Sequence, residues 1–91
     1  MPKQPENPEE LARLASAVRE LRKERRLSQQ ELAAAVGVGA RRIQALEAGR
    51  LAPYYVLLVR VAKALGVRAG ALVLRAEGRA NEGQAPPDGS T

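Results

Sequence analysis

The chain has 91 residues, with 15 Lys and Arg against 10 Asp and Glu, and no His or Cys. This length allows one small domain at most, and the absence of imidazole and thiol groups excludes disulfides, thiol nucleophiles and Cys/His zinc sites. The net charge is +7 in residues 1–75 and −2 in residues 76–91. A basic folded part with an acidic tail indicates a polyanionic partner, although ordinary solvated surface charge explains the imbalance about equally well.

Local signals predict five helices in chain order. Asn7 and Pro8 form a strong helix start, and Ser28 with Glu31 forms a capping box before the second helix. Gly37 is expected to end that helix in the C′ position, which leaves room only for a tight turn before the third. In this prediction the helices cover about 8–26, 29–36, 40–48, 54–65 and 67–74.

The helices indicate an all-α fold in which a flexible arm, residues 1–7, precedes a domain over residues 8–75. Residues 76–91 carry almost no apolar side chains. Such a segment cannot bury enough surface to offset the entropy lost on ordering. We therefore predict a disordered tail from residue 76 onward.

The second and third helices, separated by a short turn that contains glycine, match a helix-turn-helix, whose second helix enters the major groove of DNA. Ile43 and Leu46 set the buried side of the third helix. The opposite side and its flanks carry the candidate base contacts Ala40, Arg41, Arg42, Gln44 and Ala45. Arg can bond guanine, Gln can bond adenine and Ala can touch a thymine methyl group. The same pattern also fits an ordinary amphipathic helix with a polar outer side.

Several motifs occur together in one register over residues 11–74. They are Leu27-Ser28-Gln29-Gln30-Glu31-Leu32-Ala33, Gly37-Val38, Ile43, Leu46-Glu47-Ala48-Gly49, Pro53 and the run from Arg60 to Val67. Each is common alone, but at these spacings the chain closely resembles the lambda-repressor-like (Xre/Cro-type) helix-turn-helix DNA-binding family. The resemblance implies a five-helix domain that binds double-stranded DNA as a transcriptional regulator, here expected to be a repressor.

The resemblance also implies roles for individual residues. Gln29 is expected to hold the DNA backbone, and the free N–H groups at the start of its helix favour phosphate independently. The candidate phosphate contacts are Ser28, Gln29, Arg22 and Arg50. Family members pair Arg22 with Glu47, which ties the first helix to the recognition helix. Ala40 replaces a long polar side chain that often supports the Gln in relatives, so that support is not expected here.

The fourth helix looks apolar over an unusually wide arc. Tyr55, Leu58, Val61 and Leu65 supply a core stripe, and Val56 and Leu57 add further apolar surface. Such a surplus indicates burial either against the first helix or against a second chain, and we favour the second chain. We expect a homodimer on a palindromic operator with half-sites about 34–36 Å apart. The candidate interface residues are Leu51, Val56, Leu57, Val73 and Leu74.

DNA binding has two alternatives, a protein-binding module and an enzyme. An antitoxin-like or other protein-binding module could use the same domain, with the fourth helix or the tail holding a protein partner. An enzyme is not expected, because the sequence has no carboxylate cluster and Arg42 breaks the Gly-x-Gly-x-x-Gly pattern that Gly37 and Gly39 begin. We expect no cofactor and no metal. No apolar run approaches the about 20 residues of a membrane span, which favours a cytoplasmic protein of a bacterium or phage.

Overall fold

The computed structural model describes residues 8–80, which form five α-helices and no strand. The helices are α1 (Glu9–Glu24), α2 (Gln29–Val36), α3 (Ala40–Glu47), α4 (Tyr55–Ala64) and α5 (Ala69–Ala80). The predicted all-α, five-helix fold is therefore confirmed. The predicted N-terminal arm, residues 1–7, and the predicted tail over residues 81–91 lie outside the described residues.

One aliphatic core holds the five helices together. The α1 helix packs against α3 and α5, while α2 packs against α3 and α4. The largest fully buried side chains are Val18, Leu32, Ile43, Leu46, Leu57, Val61, Leu65 and Leu72. Burying each such side chain contributes about 1.5–3 kcal/mol. The core thus contains residues from every helix and fixes α2 and α3 against the rest.

The ends of α2 follow the local rules of the sequence. The Glu31 N–H donates to Ser28 Oγ at 2.9 Å, and the Ser28 N–H donates to Glu31 Oε1 at 2.8 Å. This is the predicted capping box, which satisfies two N–H groups that the helix leaves free. Gly37 ends the helix at φ 92°, a left-handed conformation that glycine adopts without the steric cost of a Cβ.

The end of α1 uses a non-glycine residue in the same left-handed region. Arg26 has φ 59°, and it is the only non-glycine residue with positive φ in the described range. The N–H groups of Arg26 and Leu27 donate to Lys23 O and Arg22 O at 3.0 and 3.1 Å. These two bonds are those of a Schellman motif, which normally places glycine at the left-handed position.

The predicted start of α1 and the predicted end of α5 are wrong. Pro8 is the N-cap of α1, with φ −56° and ψ 151°, and is not its first helical residue. The α5 helix continues to Ala80, six residues beyond its predicted end at Leu74, so the tail does not begin at residue 76. Ala76 is buried in the core, and Arg75 pairs with Glu24 of α1. These contacts stabilise the extra turns, which composition alone did not indicate.

The predicted orientation of α4 is also wrong in part. Leu57, predicted at a dimer interface, is only 2% exposed, whereas Tyr55, predicted in the core stripe, is 75% exposed. The buried side of α4 consists of Leu57, Val61 and Ala62, and Leu65 at the C-cap is buried as well. Leu57 therefore belongs to the core of one chain and is excluded from the candidate interface.

Candidate nucleic-acid interface

The α3 helix buries one side and presents the other to solvent. Ile43 and Leu46 are almost completely buried, as the helical periodicity predicts. Their burial leaves Arg41, Arg42 and Gln44 exposed, with Ala40 and Ala45 half-buried beside them. The five candidate base contacts thus lie on the outer side and flanks of one short helix, and their contact with bases stays a prediction.

Glu47, at the last position of α3, is the only charged residue that is buried in the described part of the chain. Its carboxylate accepts two hydrogen bonds from Arg22 of α1, Nε to Oε2 at 2.6 Å and Nη2 to Oε1 at 3.0 Å. It also accepts a bond from Gln29 of α2, Nε2 to Oε1 at 3.0 Å. A buried carboxylate needs such compensation for the water it loses. The network therefore ties α1 and α2 to the end of α3.

The geometry of Arg22 changes the role that we assign to it. The pair with Glu47 is the one that the resemblance implies. The remaining Nη1 donates to the carbonyl of Leu27 at 2.8 Å, and the side chain is only 12% exposed. Three of the five N–H groups of this guanidinium are used inside the protein, and contact of Arg22 with phosphate stays a prediction. Its place in the network is a positioning one.

Gln29 is held differently from the expectation. The sequence predicted no hydrogen-bond partner for its side chain, because Ala40 has no polar group. In the structure Glu47 accepts a hydrogen bond from Gln29 instead. Gln29 is half-buried at the start of α2, and its neighbour Ser28 is exposed at the cap. Arg50, two residues beyond the cap of α3, is exposed as well. Contacts of these three residues with phosphate stay predictions.

Sequence reasoning missed Arg19. Its Nη1 donates to the main-chain carbonyl of Glu47 at 2.7 Å, and its Nη2 donates to Ser16 Oγ at 3.3 Å. The only signal in the sequence is that Arg19 lies three residues before Arg22, on the same side of α1. A bond to a backbone carbonyl leaves no residue-type pattern at the accepting position.

Comparison with known proteins agrees with this geometry. A helix-turn-helix family model matches residues 18–72, more than half of the chain, and this range includes α2, α3 and the network around Glu47. The chain belongs to the Xre/lambda-repressor-like helix-turn-helix family. Its fold contains the helix-turn-helix domain found in DNA-binding transcriptional regulators.

Two proteins, one of them with two crystal structures, are similar to this family member. An uncharacterized HTH-type transcriptional regulator from Methanothermobacter thermautotrophicus is 49% identical over 53 residues, which are 58% of this chain and 77% of the relative. A crystal structure of the clp gene regulator ClgR from Corynebacterium glutamicum superposes with a TM-score of 0.75 at 30% identity, covering 80% of this chain and 78% of that one. A second crystal structure of ClgR superposes with a TM-score of 0.74 at 33% identity, and the match covers 84% of this chain and 96% of that one.

Two structural features are absent from residues 8–80. None of the five helices has the length and apolar character needed to cross a membrane. Within residues 8–80 no three His, Cys, Asp or Glu side chains are grouped as a metal site would require.

Proposed function

We propose that this helix-turn-helix protein is a sequence-specific transcriptional repressor that reads the major groove of its operator with α3. The observation that supports this most strongly is the combination of an exposed face carrying Arg41 and Gln44 with the buried Glu47 network behind it. Base readout needs side chains held in a fixed frame, because each good bidentate contact contributes about 1–3 kcal/mol of discrimination only in the correct geometry. In this proposal the protein is not an enzyme and acts in the cytoplasm.

Phosphate contacts supply the sequence-independent part of the affinity. We assign them to Ser28 and Gln29 at the start of α2 and to Arg50 after α3. The start of a helix presents free N–H groups and the positive end of the dipole to an anion. A guanidinium at Arg50 adds a charge that displaces counterions from DNA, so binding should weaken steeply as salt increases.

A homodimer on a palindromic operator is part of the same proposal, with a smaller interface than the sequence indicated. Leu51 and Val73 are half-buried, whereas Val56 and Leu74 are exposed. A groove of 370 Å³, which Val73 helps to line, has mainly apolar walls from α1, α5, the loop before α4 and Leu58 of α4. Exposed apolar surface next to a groove favours association with a second chain.

A second candidate function is an antitoxin-like role in which the domain also binds a protein. The observation in its favour is that Tyr54 and Tyr55, the only aromatic residues of the chain, are 58% and 75% exposed. Tyrosine is enriched at protein interfaces, where an apolar ring and a polar tip are both useful. A protein that co-purifies with the wild type and is lost from a Tyr54→Ala/Tyr55→Ala variant would support this role.

The decisive experiment is selection of bound duplexes from a random pool with the wild type and with Arg41→Ala. We expect the wild type to recover a palindrome and Arg41→Ala to lose preference at one position in each half-site. Arg68→Ala, an exposed arginine before α5, is the matched control and should recover the same palindrome. Sequence-blind binding by the wild type would overturn the proposal.

A further inference from the structure

The C-terminal end of α3 has a complete set of partners for its last carbonyl groups. The last four carbonyls of any α-helix have no partner within the helix. In α3, the N–H groups of residues 48–50 donate to the carbonyls of residues 44–46 at 2.9 to 3.1 Å. The remaining carbonyl, that of Glu47, accepts the 2.7 Å bond from Arg19 of α1. Arg19 therefore completes the end of α3 from a different helix.

The charge of Arg19 suits this position. The end of a helix carries the negative pole of its dipole, and a cation there is stabilising. A bond from a guanidinium is also stronger than one between neutral groups. The second bond, from Nη2 to Ser16 Oγ at 3.3 Å, holds the side chain along α1. Arg19 is half-buried, so water competes only in part for its donors.

Arg19 and Arg22 hold different parts of the same residue. They lie one turn apart on α1, and they bond the main-chain carbonyl and the carboxylate of Glu47 respectively. Gly49 has φ 75°, and a Cβ added to it would lie 3.7 Å from Cα of Ala12. The backbone that leaves α3 thus passes close to α1. At the other end, the N-cap Gly39 provides no side-chain bond, so the side-chain bonds that hold α3 are concentrated at its C-terminus.

We propose that Arg19 is a positioning residue for base discrimination, acting through the main chain of Glu47. This proposal rests on the proposed function of α3. Without the Arg19 bond, the carboxylate network still attaches α3 to α1 and α2, but the last carbonyl of α3 loses the side-chain donor that holds it. The phosphate contacts tolerate such a change because they depend on charge. The bidentate contacts of Arg41 and Gln44 with bases do not, because they depend on orientation.

The test compares Arg19→Met, which keeps the length and removes the donors, with Arg19→Lys, which keeps one cationic donor. The matched control is Arg75→Met, which removes another arginine contact between helices, that of α5 with Glu24 of α1. For each folded variant the dissociation constants for the selected operator and for a scrambled duplex are measured at one salt concentration. Hydrogen exchange of the amides of residues 48–50 is measured without DNA.

We expect Arg19→Met to reduce the ratio of scrambled to operator dissociation constants on the order of 5- to 10-fold, since part of one or two bidentate contacts is lost. Binding to the scrambled duplex should change less than 2-fold, because Arg19 bonds within the protein and is not an assigned phosphate contact. The control Arg75→Met removes the same charge. Arg19→Lys should restore most of the ratio, and Arg75→Met should leave it unchanged. An unchanged ratio in Arg19→Met overturns the proposal.

Hydrogen exchange separates this proposal from the proposed function. If the wild type itself shows no preference for any duplex, the DNA-reading function fails. Faster exchange at residues 48–50 in Arg19→Met, with unchanged exchange in α4, would still support the anchoring of α3 by Arg19. Exchange rates equal to those of the wild type would refute that anchoring as well.

Discussion

Arg22 and Glu47 form a bidentate ion pair between α1 and the end of α3, with side chains only 12% and 3% exposed. The carboxylate also accepts a bond from Gln29, so three of the five helices meet at one side chain. A buried pair of this kind adds little to stability when compared with well-packed apolar residues, but losing one partner leaves the other charge unpaired. We therefore expect the pair to act mainly by fixing the position of α3.

Glu47→Ala should lower the free energy of unfolding by about 1–3 kcal/mol, because Arg22 and Gln29 are left without their acceptor in a partly buried site. Urea or thermal unfolding followed by circular dichroism measures the change. Glu47→Gln, which keeps the shape of the side chain and one acceptor oxygen, should lower the free energy of unfolding by less than Glu47→Ala does. A melt of Glu47→Ala that matches the wild type would show that the pair is not structural.

Arg26→Gly should raise the free energy of unfolding by about 0.5–1 kcal/mol. The left-handed conformation costs an ordinary residue roughly 1–2 kcal/mol, of which the greater freedom of glycine in the unfolded chain cancels a part. Arg25→Gly is the control, since Arg25 has φ −87° and gains nothing from glycine. Equal effects of the two substitutions would contradict the assigned conformation.

Ser28→Ala should destabilise the protein by about 1 kcal/mol, because the N–H of Glu31 loses its acceptor at the start of α2. Ser28→Asp restores an acceptor at the cap and should recover most of the loss. Chemical unfolding of the three proteins in one buffer provides the comparison. No difference between Ser28→Ala and Ser28→Asp would argue against the capping box in solution.

Leu57→Ala and Leu74→Ala remove the same atoms from opposite environments. Leu57→Ala should cost about 2–5 kcal/mol of stability, since it opens a cavity in the core. The side chain of Leu74 is 68% exposed. The Leu74→Ala substitution should therefore change the stability of the monomer by less than about 0.5 kcal/mol, and it should weaken self-association instead. Unfolding in urea and analytical ultracentrifugation measure the two effects. A monomeric wild type at about 100 μM would remove the dimer from the proposal, given how far below that strong interfaces hold.

Arg41→Ala and Arg50→Ala should affect DNA binding in different ways. Loss of a base contact should lower operator affinity by about 1–3 kcal/mol and relax the preference at one position, while loss of a phosphate contact should weaken all duplexes alike and reduce the salt slope by about 1. Titrations at several salt concentrations separate the two patterns. Identical patterns would mean that α3 does not read bases.

The sequence was most informative where structure depends on neighbours along the chain. Ser28 with Glu31 and the spacing of Ile43 and Leu46 predicted the start of α2 and the buried side of α3, because capping and helical periodicity are local. Leu57 and Tyr55 were assigned wrongly because α4 is apolar over so wide an arc that periodicity defines no unique direction.

The remaining differences arise from contacts between distant residues. The extra turns of α5 depend on the contact between Arg75 and Glu24, which lies 51 residues earlier. Local composition does not predict a contact over that distance in sequence. Arg19 bonds a main-chain carbonyl, whose position depends on how α3 packs against α1. The support of Gln29 by Glu47 likewise appears only once α2 and α3 are in place.

The division of α3 into an anchored end and an outward face has a consequence for how this protein can diverge. Within the described residues, the side chains of Arg41 and Gln44 make no hydrogen bond to the rest of the protein, whereas Glu47 is bonded to three other residues. Surface substitutions without such bonds usually change stability by less than about 0.5 kcal/mol. Under the proposed function, a duplicated gene could therefore acquire a different operator through changes that include positions 41 and 44, while position 47 could change only together with its partners on α1 and α2.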